Sequence, residues 1–320
     1  MPTDKDSSMT LRRVAVLVPC YNEAAAIAKV VADFKSALPE ATIYVYDNNS
    51  TDGTSAIAKE AGAVVRLETR RGKGNVVRRM FADIEADAYV LVDGDDTYEA
   101  AASRAMVDKL FAEHLDMING RRISNIEAAY RAGHKLGNRV LTGIVQYIFG
   151  DPIADMLSGF RVFSRRFVKS FPTIAEGFGI ETEMTVHALQ LRMPVAETSS
   201  QYKDRPPGSA SKLRTYHDGF LILGTILGLI KQELPMAFFG AISAFLALVA
   251  FILAYPVIVT FAQTGLVPRF PTAILATGIM LAAFLSLTSG VILDSVTRGR
   301  WEVKRLQYLA LKGPVSDAGE

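Results

Sequence analysis

The chain has 320 residues, 35 Lys and Arg against 33 Asp and Glu, a net charge of +2, half of its residues hydrophobic and 21% charged. That balance excludes a disordered chain and gives no basic domain of the kind that binds nucleic acid through bulk charge. The single cysteine, Cys20, excludes an internal disulfide framework and a cysteine zinc site.

Residues 1–10 are polar and read as disordered. Arg12-Arg13, the apolar run Val14 to Cys20 and Ala24-Ala25-Ala26 loosely imitate a signal peptide. The run is of minimum length and ends in Asn22-Glu23, so no signal peptide is expected. Strands are predicted over Val14 to Val18, Thr42 to Tyr46, Val64 to Leu67, Tyr89 to Val92 and Leu115 to Ile118. Helical spacing falls between them, at Ala24 to Leu38, Thr54 to Ala61, Asn75 to Glu85 and Glu99 to His114. Such alternation implies an α/β domain over residues 11–214, a mostly parallel sheet with helices on both faces.

Hydrophobicity then becomes uneven. Residues 215–233 hold Phe220, Leu221, Leu223, Ile226, Leu227 and Ile230 between polar ends, too short to span and suited to the headgroup plane. From 234 to 293 only Arg269 is charged. Leu234 to Phe261 and Phe270 to Leu293 each exceed the roughly 20 residues a helix needs to cross a bilayer. Two buried core helices would need a much larger protein around them, so 234–297 reads as a transmembrane hairpin. Its loop carries only Arg269, while Lys212, Arg214 and Lys231 precede it, and Arg298, Arg300, Lys304, Arg305 and Lys312 follow. Both termini, the α/β domain and the basic tail 298–320 are therefore expected on the cytoplasmic side.

Polar clusters follow the first, second and fourth strands: Pro19 to Glu23, Asp47 to Thr54, and Asp93-Gly94-Asp95-Asp96. Each alone is ordinary turn chemistry. Together they mark the carboxyl edge of one sheet, where open α/β sheets bind ligands. Asp93 and Asp95 at that spacing suit a hard divalent ion, Mg²⁺ or Mn²⁺, with Gly94 letting the backbone approach. No bidentate Glu stands at the offset an EF-hand requires. Arg70-Arg71-Gly72-Lys73-Gly74-Asn75 opens a helix with glycines and cations suited to an anion, but lacks the Walker spacing. A metal-bridged nucleoside diphosphate fits these features, with Asp47 and Glu23 near the base or ribose.

These same runs resemble the family 2 glycosyltransferases with a GT-A fold. Gly120-Arg121-Arg122, Asn138-Arg139, Asp155 to Arg161 and Asp204 to Lys212 are similar to the polyprenyl-phosphate branch, which includes dolichol-phosphate mannose synthases and bacterial undecaprenyl-phosphate glucosyltransferases. The resemblance runs from about Val14 to Lys212, and the two-span tail fits it. It implies nucleoside contacts from Pro19, Tyr21, Glu23 and Asp47, with Lys73 and Asp93 at the nucleotide's diphosphate. It implies metal ligation by Asp93 and Asp95. It implies an acceptor-phosphate clamp of Arg122, Arg139 and Arg205, with Ser158 near the acceptor; Asp155 is a candidate for orienting that acceptor. A homo-oligomer is also implied.

Thr97 stands where mannose synthases usually carry Gln, which leaves the donor sugar open; UDP is favoured over GDP. Arg121 is an extra arginine beside Arg122. Glu181 and Glu183 either line the donor sugar pocket or cap the following helix. The expected reaction is inverting sugar transfer to a polyprenyl phosphate. The alternatives are a saccharide or protein acceptor, and a non-catalytic nucleotide-sugar-binding adaptor. The only tryptophan, Trp301, lies in the tail without the Gln-x-x-Arg-Trp element of processive enzymes.

Overall fold

The structure, a computed structural model, describes residues 12–123, 143, 145–146, 150, 153–173, 179–203, 224 and 227–314. The described residues fall into two compact units. One holds the residues up to 219 together with those from 304 onward, and the other spans 220–303.

The first unit begins with β1 (Val14–Cys20), apolar almost throughout and buried on both faces, the pattern of a central parallel strand. It is followed by α1 (Ile27–Ala37), β2 (Thr42–Asp47), α2 (Thr54–Glu60), β3 (Val64–Leu67), α3 (Lys73–Asp83), β4 (Ala88–Leu91), α4 (Ala102–Ala112) and β5 (Met117–Ile123). Then come β6 (Arg161–Ser164), α5 (Arg165–Ser170), α6 (Ile180–Gln190) and β7 (Val195–Gln201). The seven strands form one sheet in the order β3-β2-β1-β4-β6-β5-β7. Only β6 runs antiparallel to its neighbours; the other pairs are parallel.

The helices pack where their periodicity dictates. Ile27, Val30, Val31 and Phe34 of α1 are buried, as are Met106, Val107, Leu110 and Phe111 of α4. These recur at helical spacing and cover one face of the sheet with Val16, Val18, Val90 and Val162. The other face carries an aromatic run from Phe81 through Phe163 and Phe167 to Phe171 and His187. Ser164 caps α5 by accepting from the Phe167 N–H at 3.1 Å.

The predicted elements are present, with informative differences. The fifth strand extends from Met117 to Ile123, through Gly120-Arg121-Arg122. That tract is polar enough to read as a turn, but pairing with β7 along all seven residues holds it extended. Strand β6 reverses the expected parallel run, and β6, β7, α5 and α6 are not marked by hydrophobic alternation.

The second unit is built on α7 (Pro235–Thr264) and the larger part of α8 (Phe270–Leu309). Both are long and apolar enough to cross a membrane. Pro235 opens α7 where its missing N–H is harmless, and Gly265 closes it with φ of 68°. Within the apolar part of α8, up to residue 303, the buried residues are small and seven apart: Ala276, Ala283, Gly290 and Thr297. A Cβ at Gly290 would lie 3.1 Å from Phe239 Cβ, and Ser286 Oγ donates to the Phe239 carbonyl at 2.9 Å. Small residues thus let the two helices approach closely. Of the predicted interfacial segment, Gly224 and residues 227–233 are described, and they are helical.

The residues after the hairpin return to the first unit. Asp116, fully buried at the foot of β5, accepts from Ser164 Oγ at 2.6 Å, Arg166 Nη2 at 2.7 Å and Tyr308 Oη at 2.8 Å. The Arg166 guanidinium lies 4.3 Å from the Tyr308 ring centroid. Lys304 Nζ donates to Gln190 Oε1 at 2.9 Å.

His187 gives this packing a pH signature. Burial, with the charge of Lys304 adding to it, pushes its pKa down to about 3. The unfolded chain takes up that proton below about pH 6.5 and the folded chain refuses it, so stability is fully present above that value and falls as pH drops toward 3. Denaturant unfolding between pH 4 and 7 should lose about 1.4 kcal/mol per pH unit below 6.5 in the native chain. His187→Gln should remove that component; an unchanged slope would place the effect elsewhere.

Candidate active site

Strand directions gather the chemistry. The carboxyl ends of β1, β2, β3, β4, β5 and β7 share one edge of the sheet, and β6 starts there. The chain passes from β1 outward to β2 and β3, then returns to β4 on the other side of β1. That makes the gap between β1 and β4 the topological switch point, where α/β sheets open a ligand crevice.

On one side of this crevice the first two polar clusters are fastened together. Asn22, with φ of 54°, receives the Thr51 N–H on its Oδ1 and donates its own N–H to Ser50 Oγ, both at 2.8 Å. The N–H of Glu23 bonds Thr54 Oγ1 at 2.9 Å, and that of Ala24 bonds Asp52 Oδ2 at 3.0 Å. Asp47 is buried and uses its carboxylate on Ser50 N (2.8 Å) and Ser55 Oγ. Glu23 is buried, Pro19 half-buried, and Tyr21 exposed at 41%.

Asn48 is the hub that sequence reading passed over as turn chemistry. Its Nδ2 donates to the carbonyls of Glu68 (2.8 Å) and Arg70 (2.7 Å), and its Oδ1 accepts the Gly72 N–H at 2.8 Å. The second cluster therefore positions the basic turn that opens α3. Only the register between β2 and β3 makes that contact.

From that turn Lys73 reaches two carboxylates. Its Nζ stands 2.5 Å from Asp93 Oδ1 and 2.5 Å from Glu181 Oε1. Burial alone would lower the lysine pKa; Asp93 and Glu181 outweigh it and hold the ammonium charged. Glu181, on the first turn of α6, is 5% exposed, and its Oε2 has no hydrogen-bond partner among the described residues. Asp93 remains the open member, its side chain 32% exposed. Asp95 is buried and steadied by Thr97, whose Oγ1 donates to Asp95 Oδ1 at 2.6 Å. Thr97 thus braces a neighbouring carboxylate and is itself 1% exposed.

Two glycines are required by close approach. A Cβ on Gly159 would fall 2.7 Å from Asp93 Cγ, so the 155–160 segment lies directly against the Asp93 carboxylate. A Cβ on Gly94 would meet Cys20 Sγ at 2.6 Å. Gly94 is therefore held by packing on β1, whereas the sequence suggested room for a ligand.

On the far side of the crevice Arg122 and Asp155 form a two-pronged pair. Arg122 Nε and Nη2 reach the Asp155 oxygens at 2.7 and 2.8 Å. Burial would raise the Asp155 pKa, but the guanidinium fork wins and holds it below its ordinary range. The Asp155 segment is anchored from beneath. Asn119 Nδ2 donates to the Asp155 carbonyl at 2.8 Å and to Glu197 Oε1 at 2.8 Å, and Glu197 Oε1 also accepts the Ala154 N–H at 3.1 Å. Ser158 is fully buried and its Oγ donates to the Gly120 carbonyl at 2.6 Å, so the hydroxyl holds the loop to β5.

Arg161, also fully buried, donates to the carbonyls of Met156 (2.6 Å) and Ser158 (3.1 Å) and to Thr185 Oγ1 (2.8 Å). Burial lowers its pKa, while Glu181 and Asp155 draw it back up. The structure thus brings Lys73 to Asp93 and Arg122 to Asp155. Arg139 and Arg205 lie outside the described residues.

Residues 15–171 match the family described as glycosyl transferase family 2. The glycosyltransferase AglJ of Haloferax volcanii is 35% identical over 231 residues, which cover 72% of this chain and 76% of that protein. A dolichyl-phosphate hexose transferase of the same organism is 25% identical over 224 residues, 70% of this chain and 96% of that one. Among solved structures, glucosyl-3-phosphoglycerate synthase of Mycobacterium tuberculosis, in complex with Mn²⁺, UDP-glucose and phosphoglyceric acid, aligns with a TM-score of 0.54 at 21% identity. That alignment covers 68% of this chain and 79% of the other and is a likeness of fold.

The packing of Gly94 on Cys20 can be tested as a double-mutant cycle. Gly94→Ala should destabilise the folded unit by about 1–3 kcal/mol in denaturant unfolding followed by circular dichroism. Adding Cys20→Ala should recover most of that loss. A double variant no more stable than Gly94→Ala would show that the sulfur contact is not what requires glycine.

Proposed function

Because the chain belongs to glycosyltransferase family 2, we propose that it moves a sugar from a nucleoside diphosphate donor, UDP in preference to GDP, onto a polyprenyl phosphate at the cytoplasmic membrane face. The observation that carries this reading is Asp93, with Asp95 braced behind it, facing the switch-point crevice of a chain that continues into two membrane-length apolar helices. The dolichyl-phosphate hexose transferase relative supports the lipid acceptor. The Mn²⁺ and UDP-glucose held by the fold neighbour support a metal-bound UDP donor.

The donor set suits a hard divalent ion, Mg²⁺ or Mn²⁺. Asp93 and Asp95 supply oxygen ligands, and no group of three metal-binding side chains gathers among the described residues. The remaining positions fall to diphosphate oxygens and water. When bound, the ion acts as a Lewis acid on the departing diphosphate. Lys73, at the N-terminus of α3, adds positive charge beside it. Tyr21 presents an exposed ring beside the fastened loops, suited to stacking on the base.

An acceptor phosphate is already mostly ionised near neutral pH, with a second pKa of about 6. Its oxygen attacks the anomeric carbon as the bond from that carbon to the diphosphate oxygen breaks, which inverts the configuration. No strong base is needed, in keeping with an Asp155 whose charge Arg122 already stabilises. In this reading Arg122 orients Asp155, and the acceptor phosphate is assigned to Arg122 together with Arg139 and Arg205, the last two from the sequence alone.

The tail supports the two-span arrangement. Tyr308 and Lys304 pack on the same unit as Asp116 and Gln190, which precede the hairpin in sequence. Segments in contact share one side of a membrane, which favours an even number of spans between them.

The test is transfer of radiolabelled sugar to undecaprenyl phosphate by the purified chain across a panel of UDP- and GDP-sugars, scored as lipid-linked product. Asp95→Asn should lower metal-dependent transfer by roughly a hundredfold or more while the protein stays folded. Undiminished transfer would sink the metal assignment. Turnover onto a saccharide with none onto the lipid phosphate would sink the acceptor.

A further inference from the structure

Lys73 occupies an unusual position for a diphosphate-binding lysine. Its ammonium sits between two carboxylates, 2.5 Å from Asp93 Oδ1 and 2.5 Å from Glu181 Oε1. Asp93 is also the residue assigned to the divalent ion. Asp93 Oδ1 is held by the ammonium and Oδ2 lies against Gly159, where an added Cβ would clash with it, so a divalent ion arriving on this carboxylate meets a like charge already seated there and competes with Lys73 for it.

Building on the proposed metal-bound donor, we propose that Lys73 is the resident counter-cation of Asp93. It holds that carboxylate while the site carries no donor, and it releases it when the divalent ion arrives with the nucleoside diphosphate, swinging to the diphosphate on its Glu181 anchor.

The local construction suits such an exchange. Lys73 has a flexible four-carbon stem and three N–H donors. It stands between Gly72, which has φ of 121°, and Gly74. Its two partners differ in mobility. Asp93 is partly open, whereas Glu181 is buried on α6, where the Thr185 hydroxyl donates to its backbone carbonyl at 3.1 Å. Glu181 Oε2 is buried and has no partner among the described residues, a spare acceptor beside the ammonium. When Asp93 leaves, a second N–H of Lys73 can turn onto that oxygen.

The exchange therefore never leaves a buried charge bare, which is the costly state. Asp93 trades an ammonium for a divalent ion, Lys73 trades Asp93 for diphosphate oxygens, and Glu181 keeps Lys73 throughout. Without donor, Lys73 competes with the ion for Asp93; with donor, the diphosphate draws Lys73 away. Ion and nucleoside diphosphate must then bind cooperatively.

Mn²⁺ binding to the full-length chain in detergent, read by electron paramagnetic resonance with and without UDP, tests this directly. In the native chain UDP should tighten Mn²⁺ binding. Lys73→Met should tighten Mn²⁺ binding without UDP by roughly tenfold, the scale on which a neighbouring opposite charge shifts a carboxylate's equilibrium. It should also remove most of the UDP effect. The double variant Lys73→Met, Glu181→Gln removes the pair as neutral groups and should behave the same way if the single variant folds poorly. Variants that bind Mn²⁺ no tighter than the native chain without UDP would overturn the exchange. Asp95→Asn separates the two readings: its unaltered Mn²⁺ binding would overturn the metal site itself, and the exchange with it. Lost Mn²⁺ binding in Asp95→Asn, with no gain in the Lys73 variants, would overturn the exchange alone.

Discussion

Buried charge needs opposite charge beside it, and the site is organised by that requirement. Asp93 meets Lys73, Lys73 meets Glu181, and Asp155 meets Arg122. Arg161 lies fully buried between the two groups, feeling both Glu181 and Asp155 while its donors are spent on backbone carbonyls and Thr185. Each of these side chains comes from a different part of the sequence, and none would be stable at its depth alone. The alternation of sign therefore ties α3, the end of β4, the 155–161 segment, β5 and α6 into one framework. It also leaves the carboxylate of Asp93 as its most open member.

A similar requirement shapes the unit's boundary. Asp116 is a fully buried carboxylate at the foot of β5, and Tyr308 is one of its partners. That tyrosine lies beyond the entire apolar hairpin in sequence. The sheet unit is thus completed by the C-terminal end of α8, which brings a hydroxyl to a carboxylate already held by Ser164 and Arg166. The hairpin unit solves a different problem. Its apolar stretches pack through small residues seven apart, where backbone proximity replaces hydrophobic exclusion of water.

Much of this was legible beforehand, and the reasons differ by residue. The apolar run of β1 and the spaced faces of α1 and α4 report burial directly, because periodicity is a local property. Asp93-Gly94-Asp95 was visible because its spacing is short and it follows a strand. Ser158, Thr97 and Asn48 carry polar groups that sequence reading associates with ligands or turns. The folded chain turns all three inward, on Gly120, on Asp95 and on the basic turn respectively. A hydroxyl or amide has the same appearance in sequence whether it faces a substrate or a carbonyl. The partner of Arg122 is likewise settled only by the fold: its fork lies on Asp155, 33 residues away.

The sequence by itself determined an α/β unit with its acidic loops on one edge, a two-helix apolar hairpin after it, and a family resemblance consistent with both. Those properties depend on neighbours a few residues apart, which pattern and spacing encode. Tertiary structure alone decided the reversal of β6, the reach of Lys73 to Glu181 more than a hundred residues away, the glycine required against Asp93, and the return of Tyr308 to Asp116. Each of these is a contact between distant segments. Its energy exists only once the sheet has brought them within a few ångströms, where electrostatic attraction and steric exclusion are strong enough to select one arrangement.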